Sequence, residues 1–217
     1  MSEEFMLRMV DTFDRVHNVR YWNEITSTID NSILKNGKVM DLGCGPGLLL
    51  KHLVKTFSPA VVTGIDLSEI MLNRAEQELA EFNDIEVNLI QQHLQDDPTL
   101  SKDQSAIFSS RVLRSFEDQH VIMNSIWNSL ISGGYVVILD WMKADIQTYE
   151  SWFNRPTNEF GQLSPAQVIK YHRNFSRYNL TDWKYILTSF GFDVVHSFQL
   201  DAVHGCTIAR KPSEILD

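Results

Sequence analysis

The chain has 217 residues, 43% of them hydrophobic, which suffices for one sizeable core and is short for two full domains. A formal net charge of −9 with no run of Lys and Arg is the wrong sign for gripping a nucleic-acid backbone, and counts against tRNA or rRNA as substrate. Cys44 and Cys206 are the only cysteines and stand far apart, so neither a disulfide framework nor a thiolate metal site is expected, and no metal is implied. No apolar run approaches the roughly 18 residues of a membrane span. The acidic, amphipathic start MSEEFMLRMV does not read as a signal peptide, and a reducing, cytoplasmic setting is expected.

In chain order, Phe5, Met6, Met9, Val10, Phe13 and Val16 recur at helical spacing, and a second helical stretch covers 21–33. Asn36-Gly37 breaks the pattern, and strand–helix alternation follows. Strands are predicted at 38–42, 60–66, 85–91, 106–110 and 135–140, with helices at 48–57, 68–79 and 117–131. Gly133-Gly134 is read as the end of that last helix. Such alternation predicts a parallel sheet with helices on both faces and a ligand crevice at the carboxyl ends of the first strands. After Asp140 the rhythm changes. Residues 141–180 are rich in aromatics, including Trp141, Tyr149, Trp152, Phe153, Phe160, Tyr171, Phe175 and Tyr178. Ser164-Pro165-Ala166-Gln167 predicts a capped helix start. A helix over 181–190 and strands over 192–199 and 203–210 complete the pattern, the last strand antiparallel. The expected organisation is one domain: a helical lid (1–35), a core (37–140), an aromatic-rich insertion (141–180) and a helix with hairpin (181–212).

The strongest motif is the strand Val39-Met40-Asp41-Leu42 running into Gly43-Cys44-Gly45-Pro46-Gly47 and then a helix. Glycine permits the tight turn and lets a ligand approach the backbone, although a purely structural turn is the competing reading. The spacing GxGxG differs from the dinucleotide fingerprint GxGxxG. Asp41, just before the loop, would repel a pyrophosphate and suits a cationic or zwitterionic ligand. Asp66, at the tip of the second strand, suits the hydroxyls of a ribose, with an ordinary helix cap as the alternative.

These residues resemble a known family. VMDLGCGPG, VVTGIDLSEIMLNRAEQ, LISGGYVVILDW and GFDVVHSFQ…IARKP are similar, in order and spacing, to motifs of the class I S-adenosylmethionine (SAM)-dependent methyltransferases, and closest to the small-molecule branch. The resemblance covers 37–140 and 181–212. It implies a Rossmann-like α/β fold, a seven-stranded sheet mostly parallel with a final antiparallel hairpin strand. It also implies SAM as cofactor and S-adenosylhomocysteine as product. Gly43, Cys44, Gly45 and Gly47 would line the cofactor, Asp41 would orient its ammonium, and Asp66 would hold its ribose. Leu67 and Met71 would flank the adenine, Tyr21 would cover the methionine end, and Ser110 and Arg111 would line the mouth where the methyl group is transferred. The segment aligned with the family's adenine-binding Asp is Gln91-Gln92-His93-Leu94-Gln95-Asp96. There His93 with the Leu94 N–H, or Asp96 in a shifted register, would contact the adenine.

A hydroxyl or protonated-amine acceptor requires a base. His172, within the aromatic segment, is the first candidate, and Asp140 at the tip of the fifth strand the second. Tyr171 is also a candidate. His17, His120 and His204 are further candidates: helix-borne His17 and His120 are expected at the surface, and His204 lies near a strand turn. Arg111 and Arg114 suit recognition of an acidic group. Trp141, Trp152, Phe153 and Tyr171 are expected to enclose the acceptor. The expected activity is methyl transfer to an N or O atom of a small-molecule acceptor. Neither membrane nor nucleic acid is an expected partner, and a homodimer is left open. The rival readings are an RNA or protein methyltransferase, a non-catalytic SAM-binding partner protein, and NAD-dependent redox chemistry on a similar sheet.

Overall fold

The computed structural model describes residues 13–156 and 162–213. Phe5, Met6, Met9, Val10 and Phe160 lie outside the described residues, so the predicted first helix is seen only as a helical turn at 13–16, with Phe13 and Val16 buried. Helix α1 (Val19–Thr28) starts at Asn18, whose side chain accepts the Tyr21 N–H at 3.1 Å. The single helix predicted to follow is split. Ile29 turns to an extended backbone, and Asp30 caps a short helix α2 (Asn31–Leu34) by accepting the Ser32 N–H.

The alternating segment then runs β1 (Lys38–Leu42), α3 (Leu48–Phe57), β2 (Val61–Asp66), α4 (Glu69–Leu79), β3 (Glu86–Gln91) and β4 (Gln104–Ser110). A 3-10 turn (Leu113–Ser115) leads to α5 (Gln119–Ser129) and β5 (Leu130–Trp141). Beyond these lie α6 (Ile146–Phe153), α7 (Pro165–Phe175), α8 (Leu180–Ser189), β6 (Asp193–Gln199) and β7 (His204–Arg210). Gly133-Gly134 does not terminate α5. The helix ends at Ser129, and Gly133, at φ +78°, sits in an irregular start of β5 where the register with β4 jumps between Gln104 and Ala106. The box predicted at Ser164 is present: its hydroxyl accepts the Gln167 N–H, and the Gln167 side chain accepts the Ser164 N–H.

The strands form one seven-stranded sheet in the order β3-β2-β1-β4-β5-β7-β6. β1 to β5 are parallel, and β7 lies antiparallel between β5 and β6. This is the predicted Rossmann-like architecture. The chain reverses its direction of travel across the sheet between β1 and β4, which opens a crevice at their carboxyl ends.

Side chains alternate between faces. Val39, Phe108, Val137, Leu139, Cys206 and Ile208 pack on one face with Phe13, Val16, Tyr21, Ile25, Leu49 and Leu53. Met40, Ile107, Val136 and Ile138 pack on the other with Ile122, Ile126, Trp183 and Leu187. By the same alternation Asp41, Ser110, Trp141 and His204 continue the first face past the core to the carboxyl end of the sheet. Among the described residues no helix is long and apolar enough to cross a membrane.

Candidate active site

The loop after β1 is tied to β2. Gly43 and Cys44 both donate their N–H groups to the Ile65 carbonyl, at 2.7 and 3.0 Å. Gly43 and Gly47 have φ of +72° and +79°. A Cβ at Gly43 would lie 2.3 Å from Val112 Cγ2, and one at Gly47 would lie 2.8 Å from the Ala75 Cβ. Both positions need glycine for conformation and for space.

Asp66 locks the other side of this loop. One carboxylate oxygen accepts the Gly45 N–H at 2.8 Å and the other the Ser68 N–H at 2.9 Å. Met71 is buried beneath and Leu67 is exposed. His93 and Asp96, alternatives for the adenine contact, are brought together: His93 Nδ1 lies 2.7 Å from Asp96 Oδ2, and Leu94 beside them is buried. Asp66→Ala is expected to weaken SAM binding at least tenfold, by loss of charge-assisted bonds of roughly 1.5–3 kcal/mol each to the ribose and by release of the loop. Calorimetric titration checks this, and an unchanged Kd would refute the ribose assignment.

Asp41 is 2% exposed, and its Oδ1 has no hydrogen-bond partner among the described residues. Burial, with the negative charge of Asp66 adding to it, pushes this carboxyl up to about 8. An enclosed carboxylate with an oxygen that lacks a donor is a poor structural element and a good seat for a cation, since an ammonium supplies both charge and donors. The residues therefore fit the ammonium end of SAM. Buried Tyr21 lies close by: burial first, then Cys206 and Asp41, push its hydroxyl well above the ordinary tyrosine value.

At the ends of β4 and β5 the expected pair of arginines divides. Arg114 is 8% exposed, and its Nη1 donates to Asp140 Oδ1 at 2.7 Å and also to the Arg111 carbonyl. Asp140, fully buried, accepts in addition the N–H groups of Arg114 at 3.0 Å and Trp141 at 2.8 Å. With both oxygens engaged, Asp140 is an anchor for the loop after β4, which does not suit it to act as a base. Arg114 also lies 4.6 Å over the Phe175 ring. Arg111 is different. It is half-buried at φ +64°, and among the described residues its guanidinium has neither hydrogen bond nor ion pair. Burial, then the charge of Arg114, bring its pKa down to about 10. Ser110, just before it, has a buried Oγ with no partner among the described residues.

The aromatic segment packs around Trp141, whose ring lies 5.9 Å from Tyr149, 5.0 Å from Trp152, 5.6 Å from Phe153 and 4.7 Å from Phe175. Tyr171 forms an outer layer on Phe153 and Phe175. His172 is held away from this centre: its Nε2 bonds the Ala144 carbonyl at 2.9 Å, and its ring stands edge-on to Tyr149. That geometry makes it a tether between α7 and the segment after β5.

Two of the candidate bases, His17 and His204, are buried. His17, expected at the surface, is 4% exposed. His204 is fully buried, opposite Trp141 in the β5–β7 register, with ring centroids 4.1 Å apart. Each ring has one nitrogen engaged, His17 Nδ1 with the Phe13 carbonyl at 3.1 Å and His204 Nδ1 with the Asp201 carboxylate at 3.0 Å. Each Nε2 is buried without a partner among the described residues. Burial is the main cause holding both rings below the ordinary histidine value, and the charge of Arg111 acts in the same direction on both. The sequence signal that could have singled out His204 among the candidate histidines is Asp201-Ala202-Val203-His204, a carboxylate three residues ahead of a histidine across a hairpin turn.

Comparison with known proteins agrees with this geometry. The model of a methyltransferase domain family matches residues 15–197. A trans-aconitate 2-methyltransferase of Rhodopseudomonas palustris is 30% identical over 106 residues, 49% of this chain and 39% of the relative. A malonyl-[acyl-carrier protein] O-methyltransferase of Priestia megaterium is 23% identical over 126 residues, 58% of this chain and 44% of the relative. The chain thus spans less than half the length of these curated relatives. A crystal structure of a SAM-dependent methyltransferase from Aquifex aeolicus superposes with a TM-score of 0.67 at 16% identity, covering 97% of this chain and 100% of that one, a likeness of fold. With its cofactor loop, its sheet order and a family match running from the first helical turn into β6, the chain belongs to the class I SAM-dependent methyltransferases.

Proposed function

We propose that the chain transfers the methyl group of SAM to an oxygen or nitrogen atom of a small organic acid whose carboxylate is held by Arg111. The observation that carries this reading is the half-buried Arg111 guanidinium, which has no hydrogen bond or ion pair among the described residues, beside Ser110 at the carboxyl end of β4. A charge taken partly out of water is costly unless paired, and a planar guanidinium matches a carboxylate with two parallel bonds. The relatives named for trans-aconitate and for a malonyl group support an acidic acceptor.

SAM supplies an electrophilic methyl group, so the chain has mainly to bind, align and exclude water. The residues assigned to the cofactor are Asp41, Gly43, Cys44, Gly45, Gly47 and Ser110 along its methionine and ribose end, with Tyr21 covering it. Asp66, Leu67, Met71, His93 and Leu94 serve the nucleoside. Trp141, Trp152, Phe153 and Tyr171 form the water-excluding wall of the acceptor site, and 141–180 acts as its insertion. A cytoplasmic setting, with Cys44 and Cys206 both free, fits this reading.

Transfer of label from [methyl-3H]SAM to a panel of small acids and their neutral amides tests it. Acids should be labelled in preference to amides. Arg111→Met should raise KM for the acid roughly 30-fold, the worth of a charged hydrogen-bonded contact of about 2 kcal/mol, with the SAM Kd unchanged. Equal labelling of acid and amide by the unmodified protein would sink the assignment.

A further inference from the structure

His204 opens β7 and stands beside Trp141, whose strand β5 accepts the Arg111 N–H at the Leu139 carbonyl, at 2.7 Å. The histidine is thus one strand away from the guanidinium assigned to the acceptor. Asp201 fixes the ring: its carboxylate accepts His204 Nδ1, the N–H groups of Val203 and His204, and Trp152 Nε1, all within 3.0 Å. A donor fixed at Nδ1 places the lone pair of the neutral ring on Nε2. That atom is buried and has no donor among the described residues, an arrangement that a bound hydroxyl would satisfy.

Resting on the acid-acceptor reading, we propose that His204, oriented by Asp201, is the base that takes the proton from the methylated atom, and that the acceptor is a hydroxy acid methylated on its hydroxyl. The hydroxyl oxygen forms a bond to the methyl carbon while the methyl–sulfur bond breaks with its electron pair left on sulfur. The hydroxyl proton passes to His204 Nε2 and leaves to water after the product. A hydroxyl fits better than an ammonium, because the site already carries the positive charge of Arg111.

The charged and titratable groups facing His204 agree with this role. Asp201, from the β6–β7 turn, is pushed up by burial, but its bonds to His204, Val203 and Trp152 outweigh that and bring it to about 2, so it is ionised to receive an imidazolium. Arg111, after β4, and burial favour the neutral ring that a base must start from, and Asp140, on β5, favours the charged one. His17, from the first helical turn, adds no charge while burial keeps it neutral.

The test uses the full chain with [methyl-3H]SAM and a panel of small acids with and without hydroxyl groups. Hydroxy acids should give label that survives mild alkali, as an ether does. His204→Gln and Asp201→Asn should each lower kcat by roughly 10²–10⁴-fold with the SAM Kd unchanged. The fall in kcat/KM of the unmodified protein at low pH should lie below the ordinary histidine value of about 6.5 and be absent in His204→Gln. Label released by mild alkali as methanol would show a carboxylate nucleophile and overturn the inference while leaving the Arg111 reading intact. A kcat that neither variant changes would also overturn it. If no acid is labelled, the Arg111 reading fails instead, and 15N NMR of His204 in the S-adenosylhomocysteine complex decides the ring's role. A neutral ring protonated at Nδ1 upholds it as a base, and a ring protonated at Nε2 at pH 7 overturns it.

Discussion

Asp41→Asn should make the ligand-free protein more stable and its cofactor complex weaker. The Asp41 carboxyl is enclosed, has an oxygen without a donor, and is pushed up to about 8 by burial and by Asp66. Its folded-state pKa lies above the unfolded value of about 3.9. The stability linked to this proton is therefore fully present below pH ~4 and is lost as pH rises through about 8. An asparagine of the same shape does not titrate. In urea denaturation at pH 5 and pH 8.5 the variant should gain on the unmodified protein as pH rises, by on the order of a few kcal/mol at the upper value. A stability difference independent of pH would contradict the buried, unpaired carboxyl. The cofactor side has the opposite sign. Loss of the charged partner of the ammonium should weaken SAM roughly a hundredfold. Calorimetry at pH 7 in buffers of different ionisation enthalpy should show about one proton released on binding to the unmodified protein and none with the variant. The residue trades stability of the free protein for grip on a cation, as binding sites do.

Asp140→Ala should be the most damaging single change to the fold. It leaves the Arg114 guanidinium, 8% exposed, without its carboxylate, and removes the acceptor of the Arg114 and Trp141 N–H groups. Breaking a buried pair on one side costs about 3–5 kcal/mol, a large share of the 5–15 kcal/mol that holds a typical domain. For a chain of this size that amounts to a fall in Tm of roughly 10 °C. The double variant Asp140→Ala/Arg114→Met should recover part of the loss, because it removes the stranded charge along with its partner. A double variant less stable than Asp140→Ala would show that the pair is not what holds the loop after β4.

The fold was legible where local pattern and tertiary need coincide. β1, β2 and β4 are short β-branched or apolar runs between glycine and polar breaks, and the Gly43–Gly47 loop announces the crevice. The hairpin of β6 and β7 was readable from two runs and a short turn. Gly133-Gly134 misled because a positive-φ glycine serves equally in a helix stop and in a strand irregularity, and only the register with β4 distinguishes them. Site electrostatics were less legible. Arg111 and Arg114 look alike in sequence, and only the return of β5 shows that Asp140 neutralises one and leaves the other. His172 sits among aromatics in sequence, yet its bond to Ala144 turns it into a tether, while His204, one candidate among several in sequence, is buried by strands far from it in the chain. Burial and pairing across long separations decide what a titratable residue does, and neither has a local signature.

The position of β7 bears on how the molecule is made. This strand follows all the others in sequence, yet it lies between β5 and β6. While the polypeptide emerges from the ribosome, β5 keeps a bare, apolar edge until residues 204–210 have been synthesised, an edge open to wrong pairings. The glycine loop, Asp41 and Asp66 all belong to strands that can assemble earlier. The half that grips the cofactor can therefore form during translation, while the wall carrying His204 waits for the final strand.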